Sequence, residues 1–223
     1  MAFKIGAITI GQSPRTDVVP EMIGLLGDVE LEQRGALDGM SAEEIAALAP
    51  QPGDYILVTK LRDGSSVRIA EKHILQRIQN HIDDLVRNSA EGILMLCTGE
   101  FPGFQCEKPI LYPQRLLQHF VAGTMADRSI GVLTPDISQV PQAARRWKEY
   151  GIKKVLVEPA SPYGDPADVL KAALILRERK VQTIVMDCIG YTCVMKQEIV
   201  RQTGLPTIVP RTVAARVAGE LFG

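Results

Sequence analysis

Short apolar runs rich in β-branched residues recur along the chain, and each gives way to a polar loop and then to a stripe of helical period. Residues 4–10 form the first run, followed by Gly11-Gln12-Ser13-Pro14-Arg15-Thr16-Asp17 and an amphipathic segment through Leu26. This order reads as strand, loop and helix, with Ser13 at the N-cap and Pro14 in the first helical position. An extended piece over 29–35 leads to Ser41-Ala42-Glu43-Glu44, whose capping-box spacing predicts a brief helix ending before Pro50. Residues 54–59 predict a strand, and the Asp63-Gly64 turn brings 67–70 back as a hairpin partner. Residues 71–88 carry Ile74, Ile78, Ile82, Leu85 and Val86 on one face, a strong helical stripe.

After a strand over 92–97, the proline-flanked stretch 109–113 reads as a linker into a helix over 114–125. The same rhythm then repeats: strand 129–133, helix 141–150, strand 153–158, a turn-rich loop, helix 168–179, strand 181–186, helix 191–203, strand 206–209 and helix 212–222. Alternating strands and helices with short connections predict an α/β fold with parallel sheets covered on both faces. We expect two similar doubly wound lobes, residues 1–112 and 113–209, with a cleft between them and the helix 212–223 packed back on the first lobe. A single eight-stranded barrel is the competing architecture, but 223 residues is short for one with this many loops.

The chain is 46% hydrophobic, enough for genuine cores, and its formal charge of −1 mixes both signs throughout. No basic face favours nucleic acid, and no apolar run approaches membrane-spanning length. The start, Met1-Ala2-Phe3-Lys4-Ile5, enters a strand pattern directly, so a cytoplasmic protein is expected. Assembly into a homo-oligomer is compatible with this composition. The four cysteines are too sparse for a disulfide framework and lack zinc-ligand spacing, which leaves no metal or cofactor expected. His73 and His81 lie eight residues apart, too far to chelate from adjacent turns.

Two of the cysteines share a layout. An apolar run delivers Cys97-Thr98-Gly99-Glu100-Phe101, and another delivers Asp187-Cys188-Ile189-Gly190-Tyr191-Thr192. At the carboxyl end of a parallel strand a side chain meets the ligand crevice rather than the core. We therefore expect Cys97 and Cys188 to be the catalytic pair, one abstracting a proton and the other delivering one on the opposite face of a carbon beside a carboxylate. One thiol acting alone as a nucleophile would instead give a lyase or hydrolase. Ser13 and Arg15, with Thr59, Arg62, Thr98, Gly99, Thr134, Gly190, Tyr191 and Thr192, are the expected substrate-binding residues, because neutral donors and arginine forks suit a small anionic or carboxylated ligand. Arg15 and Arg62 favour a ligand more negative than a plain amino acid. Cys97 and Cys188 are expected to react with alkylating agents faster than Cys106 and Cys193.

Thr9-Ile10-Gly11-Gln12-Ser13-Pro14-Arg15, Thr59-Lys60-Leu61-Arg62-Asp63-Gly64, Cys97-Thr98-Gly99 and Asp187-Cys188-Ile189-Gly190-Tyr191 resemble the AroM family, in the same order and over nearly the whole chain. More distantly, two lobes with a cysteine in each resemble the aspartate/glutamate/hydantoin racemase superfamily. That resemblance implies a cofactor-independent, two-lobed enzyme with Cys97 as the first-lobe cysteine and Cys188 as the second. Racemases of the superfamily usually follow these cysteines with Asn-Thr and Thr-His, where this chain has Thr98-Gly99 and Ile189-Gly190-Tyr191. The resemblance implies an isomerase or racemase, or a binding or regulatory protein on the same fold.

Overall fold

The structure, a computed structural model, describes residues 2–223. Its elements in order are β1 (Phe3–Thr9), α1 (Pro20–Leu26), β2 (Val29–Gly35), α2 (Ala42–Ala46), β3 (Ile56–Lys60), β4 (Ser66–Ala70), α3 (Leu75–Arg87), β5 (Gly92–Met95), β6 (Ile110–Leu111) and α4 (Pro113–Met125). There follow β7 (Ser129–Thr134), α5 (Val140–Glu149), β8 (Lys154–Pro159), α6 (Pro166–Glu178), β9 (Thr183–Met186), α7 (Cys193–Thr203), β10 (Thr207–Ile208) and α8 (Pro210–Phe222).

Two four-stranded parallel sheets result, in the orders β2-β1-β5-β6 and β10-β9-β7-β8. Counted from the first strand of each lobe, both orders reduce to 2-1-3-4, so the lobes repeat one topology. The central strands are buried along nearly their whole length, as apolar runs in a doubly covered sheet must be. Among the described residues only β3 and β4 pair antiparallel, as a hairpin outside both sheets.

The stretch expected to be a linker also carries a strand: Ile110 and Leu111 pair with Ile93 and Leu94, and Pro113 opens α4. Three residues between prolines are too few to show a period, and only the neighbouring strand reveals their role. The capping box forms at Ser41 and Glu44, and the stripe on α3 buries Ile78, Ile82 and Leu85.

Each lobe has core on both sides of its sheet. In the first lobe α3 covers one face, while Ala214, Ala215, Ala218 and Phe222 of α8 join Met22 and Leu26 of α1 on the other. The last helix thus leaves the second sheet at β10 and buries its apolar side against the first, with Phe222 edge-on to Phe3. Arg211, fully buried near its start, donates to Ile189 O in the second lobe and to Asp17 O and Glu21 in the first. No described helix is long and apolar enough to cross a membrane.

Candidate functional site

The two cysteine turns occupy equivalent places. Leu96 N donates to Ile8 O on β1, and Asp187 N donates to Leu133 O on β7, so each chain leaves its sheet one residue before the cysteine. In both turns the sulfur then accepts the N–H two residues on: Gly99 N lies 3.2 Å from Cys97 Sγ and Gly190 N lies 3.4 Å from Cys188 Sγ. Both glycines are pressed by a side chain where a Cβ would sit, Gly99 by Leu57 and Gly190 by Tyr163. A bulkier residue at either position would force that neighbour away from the thiol.

Cys97 and Cys188 line one small cavity of about 30 Å³, shared with Thr98, Gly99, Thr134 and Asp187. That is room for about one water molecule. The hairpin closes it: Tyr55 and Leu57 face the cavity, Ile56 O accepts from Gln139 and Gln142 at 3.0 Å each, and Tyr55 Oη accepts from Arg146 Nη1. Contacts from the first-lobe hairpin to α5 and its preceding turn thus hold the cleft shut.

Burial dominates the chemistry of both thiols. It pushes Cys97 up to about 12, against the Gly99 N–H that favours its thiolate, with Cys188 adding repulsion. Cys188 is also raised by burial, opposed by the Gly190 N–H and the Tyr163 hydroxyl. Cys97 and Cys188 are buried while Cys106 and Cys193 are half-exposed, so the expected order of alkylation is reversed in this closed form.

Beside the thiols lies a buried ion pair that the sequence reading missed. Asp187 Oδ2 receives Arg146 Nη2 and, at 2.8 Å, Trp147 Nε1. Asp187 Oδ1 and Arg146 Nε are buried without a protein partner. Burial opposes charge on Arg146, but Asp187 outweighs it and holds the guanidinium charged. Asp187 stands where the first lobe has apolar Leu96, so the pair is what distinguishes the second turn from the first.

Only some of the residues expected to bind substrate reach the thiol cavity. Thr98 and Thr134 reach the cavity, although Thr98 Oγ1 donates to Asp187 O and Thr134 Oγ1 contacts Gln139. The N-cap expected at Ser13 is not formed. Asp38 takes both the Ser13 backbone N–H, at 2.9 Å, and its hydroxyl, at 2.5 Å, and α1 begins only at Pro20. Arg15 is buried and committed to Asp17 through Nε and Nη2, at 2.8 and 2.9 Å, and to Thr9. Arg62 is held by Ser13 O and Asp38. The expectation that these arginines call for extra negative charge on the ligand fails, because each already has a carboxylate. Arg15 and Arg62 line an open groove of about 330 Å³ together with Lys60, Asp17 and Asp63, separate from the thiol cavity.

Three further residues fall outside the cavity. Thr59 is fully buried and packs on Gly11. Tyr191 is a core residue of the second lobe whose hydroxyl donates to Ala160 O at 2.5 Å. Thr192 is the N-cap of α7, accepting from Met195 N. The tyrosine that does approach a thiol is Tyr163, from the loop after β8. Its Oη lies 3.9 Å from Cys188 Sγ and 3.4 Å from Arg15 Nη2. Among the described residues no cluster of three or more His, Cys, Asp or Glu side chains is placed to hold a metal ion.

The family model described as AroM protein matches residues 5–222. No curated protein sequence matches the chain. Among solved structures, aspartate racemase from Picrophilus torridus is similar at a TM-score of 0.63 with 13% identity, over 99% of this chain and 94% of the other. Maleate isomerase Iso from Pseudomonas putida S16 is similar at 0.62 with 13% identity, over 96% of this chain and 90% of the other. Arylmalonate decarboxylase is similar at 0.59 with 16% identity, over 99% of this chain and 92% of the other. At these identities the likeness is one of fold.

Proposed function

The chain belongs to the AroM family, and from that premise and the geometry of the cleft we propose a cofactor-independent isomerase or racemase-like enzyme acting on a small carboxylated metabolite in the cytoplasm. Cys97 and Cys188 exchange the proton. The observation that carries this reading is that two thiols at equivalent strand ends of opposite lobes line one cavity. We take the lobes as residues 1–112 and 113–209, with α8 returning to the first.

In this mechanism one cysteine, as thiolate, takes the hydrogen from the carbon beside the carboxyl as a proton and becomes a thiol. The electron pair left on carbon spreads into the carboxyl group. The other cysteine gives its proton to the opposite face and becomes the thiolate. The Thr98 and Thr134 hydroxyls line the cavity, and once turned from Asp187 O and Gln139 Oε1 they donate to the enolate-like charge. A cavity of about 30 Å³ holds no metabolite, so the lobes part to admit one, the hairpin contacts to Gln139, Gln142 and Arg146 breaking first.

The test is deuterium incorporation from D2O into amino acids, hydantoins, dicarboxylates and hydroxy acids, with Cys97→Ser and Cys188→Ser alongside. Exchange at a carbon next to a carboxyl, abolished by either substitution, supports the reading. A second reading, a binding or regulatory protein, is favoured by the thiol of Cys97 being pushed up to about 12, which leaves little thiolate near neutrality. Tight binding without exchange selects it. Chemistry lost with only one of the two cysteines points to the single-thiol lyase or hydrolase.

A further inference from the structure

The two cysteine turns match in backbone, yet besides the ion pair at Asp187 their surroundings differ in a second respect that gives the site a direction. Cys97 Sγ has one hydrogen-bond donor, the Gly99 N–H. Cys188 Sγ has the equivalent Gly190 N–H and, in addition, the Tyr163 hydroxyl.

Tyr163 is held there from three sides. Its backbone N–H donates to Ser161 Oγ at 3.2 Å, fixing the loop after β8. Its ring end lies over Gly190, so closely that a Cβ there would come within 2.5 Å of the hydroxyl oxygen. From the first lobe, Arg15 Nη2 approaches the same oxygen at 3.4 Å, and Arg15 is itself locked by both oxygens of Asp17 and by Thr9. The tyrosine oxygen accepts from the guanidinium, which leaves its own proton free to point at sulfur. A hydroxyl polarised in this way is a better donor to an anion than to a neutral thiol.

We propose that Tyr163 is the positioning residue for Cys188, donating its hydroxyl proton in a hydrogen bond to the Cys188 thiolate with Arg15 behind it, so that Cys188 starts the reaction as base and Cys97 as acid. This rests on the two-thiol reading. In the forward step Cys188 S⁻ takes the proton from carbon and becomes a thiol, and Cys97 gives its proton to the other face and becomes the thiolate. Tyr163 keeps its own proton throughout. Because Arg15 belongs to the first lobe and Tyr163 to the second, the donor chain is complete only when the lobes meet, and there it works against the burial that raises the Cys188 thiol.

The experiment reads the Cβ chemical shifts of isotopically labelled cysteine against pH, in the wild-type chain and in Tyr163→Phe, which keeps the ring over Gly190 and removes only the hydroxyl. All four cysteines report in one sample, so Cys97 is the internal control. In wild type Cys188 ionises at lower pH than Cys97. Losing one hydrogen bond to a charged group raises the Cys188 midpoint in Tyr163→Phe by about one pH unit or more and leaves Cys97 in place. Arg15→Lys, which retains the charge but not the fork, gives a smaller rise in Cys188 alone. A Cys188 midpoint indifferent to Tyr163→Phe, a Cys97 midpoint that moves as far, or a wild-type Cys97 that ionises first overturns the assignment. The D2O exchange assay decides the two-thiol reading separately. Exchange with an unmoved Cys188 midpoint sinks only the role of Tyr163, and a moved midpoint without exchange sinks only the catalytic reading.

Discussion

Removing the carboxylate of Asp187 tests how the floor of the cleft is held. Asp187 and Arg146 are 4% and 5% exposed, and the carboxylate takes both Arg146 Nη2 and Trp147 Nε1. In Asp187→Ala the guanidinium keeps only Tyr55 Oη, and the indole N–H keeps nothing. Breaking a buried pair by deleting one partner costs about 3 to 5 kcal/mol, because the remaining charge stays desolvated. For a chain of this size that corresponds to a fall in Tm of about 6 to 20 °C. Urea unfolding followed by circular dichroism gives the free energy directly, from the midpoint at unchanged slope. The double variant Arg146→Met with Asp187→Leu removes both charges and gives the second turn the leucine that the first carries at Leu96. It recovers most of the loss, since a well-packed apolar pair replaces a buried ion pair at little net cost. A loss below about 1 kcal/mol in Asp187→Ala, or a double variant no more stable than the single, refutes the claim that a desolvated charge dominates here.

In the empty protein, iodoacetamide labels Cys106 and Cys193 before Cys97 and Cys188, as read by peptide mass spectrometry over time; equal rates for all four sinks the closed cleft as the resting form. The Cys97 thiol adds stability that is fully present below the ordinary thiol value of 9.0 and is lost as pH rises toward about 12, because the unfolded chain ionises first. Urea midpoints measured across that range decline less steeply in Cys97→Ser, and parallel declines would show that Cys97 is not held neutral by the fold.

The strand-helix rhythm was legible because nearly every strand is an apolar run and helices such as α3 carry a clear stripe, and both thiols stood out at the ends of such runs. The charged and polar partners around the cleft were not legible for a definite reason. Arg146 follows Arg145 on a helix that reads as charged, and nothing in the local pattern separates the arginine that faces Asp187 from the one that faces Glu149 in water. Asp187 stood in the motif but was passed over, since its partner is 41 residues away. At Ser13 the local signal for a helix start was real, yet Asp38, 25 residues distant, takes the hydroxyl and the backbone N–H together. Arg15 offered a nearer clue: Asp17 is only two residues on, close enough in sequence for its carboxylate to claim the guanidinium.

The chain passes between the lobes twice, once from β6 into α4 and again from β10 into α8. Two tethers confine a rigid body as two hinge pins confine a door: rotation about the line through them stays free, while twisting and sliding do not. Arg211 sits at the second pin, gripping Ile189 O on one side and Asp17 O on the other. Cys188 and Arg15 are each within two residues of those anchors. The hairpin meets the second lobe through Ile56 N and O, bonded to the side chains of Gln139 and Gln142, and through Tyr55 Oη on Arg146, and these contacts break as it swings away. A single angular coordinate would then govern both admission of substrate and the exposure of the two thiols.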